Sequence, residues 1–163
     1  MENVFAKNAA GPAVLRAMHE QKQRVLAKHA LGRMVRCLDN HDMPRFLTVS
    51  AKTQADATLR LERLKLGITY LLTSSGVPII YYGTEQAFMG GGKTWDESRE
   101  DMFDGEFEFG PSLGSNFDTS HEMFKFVKAL LRLRKANPVL ETGEIRWLAA
   151  ESKPGALERK SAG

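Results

Sequence analysis

The sequence predicts an α/β chain, and three observations predict it. Two short apolar runs, RMVRCL and GVPIIYY, have the composition of buried strands, three stretches carry apolar residues at helical spacing, and the two kinds alternate along the chain. Strands this apolar lie in parallel sheets covered on both faces. Two architectures then compete, an open doubly wound sheet and a closed barrel. At 163 residues, 42% hydrophobic and 26% charged, the chain has apolar material for one core.

The first helix is predicted over residues 11–29, where Pro12 suits the first turn and Val14, Leu15, Met18, Val25 and Leu26 form one stripe. The run RMVRCLDNHD follows as a strand, ending abruptly in polar residues that leave Asn40, His41 and Asp42 at its C-terminal end. A second helix is predicted from Thr53, which stands at capping-box spacing from Asp56, through Ala57, Leu61, Leu64, Ile68, Leu71 and Leu72 to Gly76. The second strand is GVPIIYYGTE, bounded by Gly76 and Gly83. A polar loop runs from Gln86 to Asp118. A third helix is predicted from Thr119, paired with Glu122, with Phe124, Val127, Leu130 and Leu131 on one face and Asn137-Pro138 as its stop. GEIRWLAA reads as a further strand, and the tail ESKPGALERKSAG, with little to bury, is expected to fray or to begin something cut short.

The charge balance excludes little. A formal +3, from 23 basic and 20 acidic residues, is too mild and scattered to mark a nucleic-acid face. Cys37 sits inside an apolar run and reads as a small buried hydrophobe; a single cysteine forms no intramolecular disulfide. No apolar stretch approaches the ~20 residues of a membrane span, and MENVFAKNAAGPAV lacks the pattern of a signal peptide. Localisation is not readable from this.

AFMGGGKT, residues 87–94, matches the relaxed pattern of a phosphate-cradling loop. Such a loop joins a strand directly to a helix, so that amides and the helix N-terminus converge on phosphate. Here the second half fails, because WDESREDMFDGEFEFGPSLG has no apolar stripe at helical spacing and its carboxylates repel a triphosphate. The alternatives are a plain surface loop and a substrate loop at the C-terminal edge of a parallel strand.

DNHD at 39–42 sets an imidazole and two carboxylates at a strand end, where a loop-capping role is the commoner one. In order and spacing, however, LDNHDMPRFL (38–47), LLTSSGVPIIYYGTEQ (71–86) and LRLRKANPVLETGEIR (131–146) resemble the α-amylase family, the retaining glycoside hydrolases and transglycosylases with a (β/α)8 barrel. The resemblance runs from about Phe5 onward. It implies that residues 1–141 are the C-terminal portion of such a TIM barrel, from about strand seven to helix eight. Residues 142–163 would then open a C-terminal β domain. The regions around both motifs read like the cyclodextrin-forming and maltogenic members, implying an α-1,4-glucan substrate such as starch or maltooligosaccharides.

Residue by residue, the resemblance makes Asp42 the catalytic carboxylate that stabilises the transition state through sugar hydroxyls, neither nucleophile nor proton donor, and His41 a substrate-binding histidine. Asn40 and Arg45 read as structural. Many relatives carry an Asp and an Arg four positions apart in the glycine loop to grip a glucose; here Asp96 and Arg99 are three apart, and a surface ion pair is the alternative. Trp95 or Phe88 could offer an aromatic face to a pyranose, and of Tyr81 and Tyr82 strand alternation sends one inward. A retaining mechanism needs a nucleophile and an acid/base carboxylate about 5 Å apart. The family's motifs for them would precede residue 1, so the chain by itself is expected to be inactive and marginally stable, with open strand edges that invite self-association. A non-catalytic glucan-binding remnant is the second reading. No residues show calcium-loop spacing, and no metal or cofactor is assigned to this chain; the family's calcium would belong to a fuller parent.

Overall fold

In the computed structural model, which describes residues 1–26, 30, 32–91, 96–103, 117–148 and 157–160, the two apolar runs pair in parallel. β1 (Val35–Arg36) and β2 (Val77–Pro78) are in register at Val35 with Val77. The Val77 and Ile79 amides donate to the Met34 and Arg36 carbonyls at 2.9 and 2.8 Å. Pro78 falls between them, where an N–H would point away from β1, so its missing donor costs nothing. Gly76 enters β2 at φ +104°, and a Cβ there would stand 2.5 Å from the Met34 carbonyl oxygen.

Both strands are shorter than the runs that predicted them, because each has a single neighbour among the described residues. Val35, Val77 and Ile79 are left 60, 47 and 46% exposed. Apolar strand residues beside unpaired edges are surfaces for further pairing.

The crossover between β1 and β2 is helical, as a parallel pair requires, and among the described residues two further helices precede β1. Four residues, Glu2–Phe5, form α1, and Ala13–Val25 form α2 behind Pro12. The stripe predicted for α2 is only partly used. Leu15 and His19 are its buried residues, whereas Val14, Met18 and Val25 are exposed, so α2 packs through a single i, i+4 ridge. A helix not anticipated from the sequence, α3 (Phe46–Ala51), follows the DNHD turn and buries Phe46, Leu47 and Val49.

Next comes α4 (Ala57–Thr73), which begins at Asp56 rather than Thr53. The Asp56 carboxylate accepts from the Thr58 and Leu59 amides at 2.8 and 3.2 Å, while the Thr53 hydroxyl donates to the Ala6 carbonyl instead. Its core face is the stripe Leu64, Ile68, Leu71 and Leu72, none more than 1% exposed. Leu38, Phe46, Phe5, Met123 and Val127 are among the residues that join it in this core.

The third predicted helix, α5 (Glu122–Ala136), starts three residues later than expected. His121 caps it through Nδ1, which accepts from the Met123 amide at 3.2 Å, and the Asp118 carboxylate caps Ser120 instead. Met123 and Val127 face α4; Leu131 is exposed. Lys65 of α4 bridges Glu62 and Glu122, tying the two helices at the surface. Arg134 ties them at the other end, donating to the carbonyls of Leu72 at 2.7 Å, Leu140 at 2.9 Å and Gly76 at 3.3 Å.

Pro138 opens a short α6 (Val139–Thr142) before β3 (Glu144–Trp147). For the tail the sequence leaves two expectations, fraying or the beginning of something cut short, and its described part does not fray. Its residues Leu157–Lys160 form β4, antiparallel to β3 with Glu144 opposite Lys160.

Candidate functional site

The strand-end turn sorts its two carboxylates into different roles. Asp39 is 3% exposed; one oxygen accepts from the Phe46 amide at 2.9 Å and the other from the Thr84 hydroxyl at 3.2 Å. It thereby fixes the first turn of α3 and the segment after β2 to the same point. Burial raises its pKa, outweighing the Phe46 amide and the nearby Arg45 charge that pull it down. A carboxyl whose pKa is raised on folding contributes most in its protonated form, below the ordinary carboxylate value, and loses that contribution as pH climbs through the raised one. The stability advantage of the wild type over Asp39→Asn is therefore expected to shrink as pH rises above the ordinary carboxylate value of about 4. Urea unfolding of both chains as pH is raised measures it, and a growing advantage would contradict the assignment.

Asn40 turns the next two residues outward. Its Oδ1 accepts from the Asp42 amide at 2.8 Å, closing an Asx turn. His41 and Asp42 consequently present side chains that are 59 and 71% exposed, with Nε2 3.3 Å from the Asp42 Oδ2.

Arg99 joins them from 58 positions along the chain. Its Nε donates to the His41 carbonyl at 3.3 Å and an Nη lies 3.8 Å from the Asp42 Oδ1. The Ser98 hydroxyl donates to the same carbonyl at 3.4 Å. The structure thus brings together three of the residues singled out from the sequence, His41, Asp42 and Arg99. Asp96 opens a one-turn 3-10 helix (Asp96–Ser98), but its side chain and the whole of Trp95 lie outside the described residues.

Beneath this trio is a buried ion pair of which only Arg45 was legible as structural. Arg45 is 0% and Glu100 2% exposed, with Nε 2.8 Å from Oε2. Arg45 also donates to the Tyr82 carbonyl at 2.5 Å, and its guanidinium lies 4.1 Å from the centre of the Tyr81 ring. Glu100 accepts the Met89 amide on its other oxygen at 3.0 Å. In the run ESRED nothing distinguishes Glu100 from its neighbours, which is why sequence reasoning passed over it.

The glycine segment is shaped around this pair. The Gly90 carbonyl accepts from the Arg45 amide at 3.0 Å and from the Thr48 hydroxyl at 2.9 Å. A Cβ on Gly90 would fall 1.7 Å from the Glu97 carbonyl oxygen and 2.5 Å from the Glu100 carboxyl carbon. A carboxylate packed against the glycines is the reverse of a phosphate cradle. Lys93 and Thr94 lie outside the described residues.

The platform expectation fails at Phe88, while Trp95 lies outside the described residues. Phe88 is 3% exposed and packs under Gly83, so it is core and not a platform for a sugar. Tyr81 and Tyr82 do not alternate, because the strand has ended at Pro78; they meet edge to face at 4.6 Å, and both rings lie near Arg45. Burial, then Tyr82, pushes the Tyr81 phenol up to about 12.

An exposed carboxylate, an imidazole and a guanidinium fork within contact of one another make a surface for paired hydroxyls: the carboxylate accepts and the fork donates in parallel. Residues 4–108 match the family described as Alpha amylase, catalytic domain. A cyclomaltodextrin glucanotransferase from Paenibacillus macerans is 40% identical over 123 residues, 74% of this chain and 14% of that protein. The Anoxybacillus α-amylase structure superposes with a TM-score of 0.78 at 27% identity, covering 99% of this chain and 31% of its own. The α-amylase of Geobacillus thermoleovorans, solved with acarbose, gives 0.67 at 27% identity over 91% of this chain and 29% of its own. The chain therefore spans about a seventh of that curated relative and under a third of these structures.

Proposed function

Since this chain belongs to the α-amylase family of glycoside hydrolases, we propose that it is the strand-seven to helix-eight portion of a (β/α)8 catalytic barrel, continued after residue 141 by the start of a β domain, and that its strand-end trio contacts an α-1,4-glucan. The observation that carries the reading is the convergence of His41, Asp42 and Arg99 on one exposed face, on a support of buried Asp39 and Arg45.

In this reading Asp42 accepts hydrogen bonds from two neighbouring hydroxyls of the sugar being cleaved and gains strength as positive charge develops on the ring. His41 donates to a hydroxyl of the same sugar. Arg99 holds an adjacent unit through its fork. The nucleophile and the acid/base that complete a double displacement are carboxylates supplied by the rest of the barrel.

Titration of the isotopically labelled chain with acarbose tests this by NMR. Amide shifts are expected at His41, Asp42 and Arg99 at about millimolar ligand, the weak affinity of a one-sided contact. Asp42→Ala is expected to weaken binding by roughly tenfold or more, the loss of a charged acceptor worth about 1.5–3 kcal/mol. Shifts elsewhere only, or equal binding by Asp42→Ala, would sink the reading. Binding without turnover, even when the remaining barrel segments are supplied, would favour a non-catalytic glucan-binding role for the same trio.

A further inference from the structure

We propose that the buried Arg45–Glu100 pair is a positioning device, which locks the glycine segment onto the strand-end turn and so holds Arg99 beside Asp42 before any ligand arrives. That the ligand is a glucan rests on the function proposed above; the locking does not.

Two side chains gather four stretches of chain. Arg45 belongs to the strand-end turn and holds the Tyr82 carbonyl, while its own amide donates to the Gly90 carbonyl. Glu100 divides its oxygens between the Arg45 Nε and the Met89 amide. The turn, the segment after β2, the glycine stretch and the 96–100 segment therefore meet at a point sealed from water.

Packing alone does not call for such a pair. An apolar pair of similar volume fills a buried site as well or better, since it avoids desolvating two charges. What charges add is direction: both Glu100 oxygens and the Arg45 Nε and one Nη have assigned partners, which fixes register where apolar contacts would let the segment slide.

The register that matters is that of the preceding residue. Arg99 is covalently next to Glu100 and reaches the His41 carbonyl and the Asp42 carboxylate from there. A long side chain carried on an unanchored loop would have to order both loop and rotamers on gripping a sugar, and anchoring removes most of that cost. Gly90 is the structural counterpart, because only a residue without Cβ lets the Glu97 backbone and the Glu100 carboxyl approach so closely.

The test compares the wild-type chain with Glu100→Gln and with the double variant Arg45→Met/Glu100→Leu, which keeps volume and removes direction. Amide hydrogen exchange is read at Met89 and across 96–103, with Leu64–Leu72 of α4 as internal control. Expected is exchange roughly tenfold faster at Met89 and 96–103 in both variants, with the α4 amides of the double variant unchanged within about twofold. Acarbose affinity, read by NMR, is expected to fall by roughly fivefold or more in the double variant.

Equal protection of 96–103 in the double variant, or loosening of 96–103 and α4 alike, would show that the pair only supports the fold, and overturns the proposal. A loosened segment with unchanged acarbose affinity overturns its service to the sugar. If the wild type binds no acarbose, the glucan reading fails while the exchange data still decide the locking.

Discussion

Arg45→Met is expected to lower the stability of the chain by about 3–5 kcal/mol, the cost of leaving a buried carboxylate without its partner. Glu100 is 2% exposed and, among the described residues, keeps the Met89 amide as its one hydrogen-bond partner once the guanidinium is gone. The Tyr82 carbonyl loses its donor, and Tyr81 loses the cation over its ring. Against the roughly 5–15 kcal/mol that holds a typical domain together, this is a large fraction, equivalent to a fall in melting temperature of roughly 6–20 °C. Adding Glu100→Leu to the same chain is expected to recover most of it, because the stranded charge is then removed. Denaturant unfolding of the two variants measures both steps. A single-variant loss below about 1 kcal/mol would mean that water reaches Glu100 and that the site is not sealed.

Ile68→Ala is the second large effect, at about 2–5 kcal/mol. Ile68 is 0% exposed and sits between Leu64 and Leu71–Leu72 on the buried stripe of α4. The surroundings have little freedom to close over a cavity, because Gly67 already lets Leu38 and Phe46 approach to 3.1 and 3.4 Å of where its Cβ would be. A restricted collapse places the cost in the upper part of that range. The urea midpoint should fall with the slope unchanged, as for a stability loss without change of exposed area. Leu66→Ala, on the 58% exposed side of the same helix, supplies the contrast and should stay within about 0.5 kcal/mol. Equal losses at the two positions would refute the stripe.

The α/β character and the three long helices were legible because apolar periodicity is a property of the local chain, and burial of Leu64, Ile68 and Leu72 follows it closely. The helix starts were less so. Thr53 and Thr119 both offered capping-box spacing, yet the Thr53 hydroxyl is taken by a tertiary partner, the Ala6 carbonyl, and at α5 the neighbouring His121 ring does the capping locally. α3 was invisible because its first amide is satisfied by Asp39, seven residues upstream. In α2 the stripe was real but largely unopposed, leaving Val25 73% exposed.

At the site, the DNHD turn announced His41 and Asp42 by residue type. Arg99 followed from the resemblance, and the structure sets it against Asp42 despite the altered spacing from Asp96. Glu100 could not be found in the sequence. Its role comes from a partner 55 positions away and from burial, and neither leaves a mark in a run of charged residues.

Arg134 gives α5 a significance beyond covering the core. By reaching the Leu72 carbonyl near the end of α4, the turn at Gly76 and the Leu140 carbonyl within α6 with one guanidinium, it spares α4 the glycine cap on which a helix end ordinarily relies. Three parts of the chain share a single knot, so the end of α4 does not fray independently of the other two. The region is expected to open and close as one cooperative block, and the segment leading into the glycine stretch owes part of its rigidity to α5, which packs against both α4 and the turn at Thr84–Gln86.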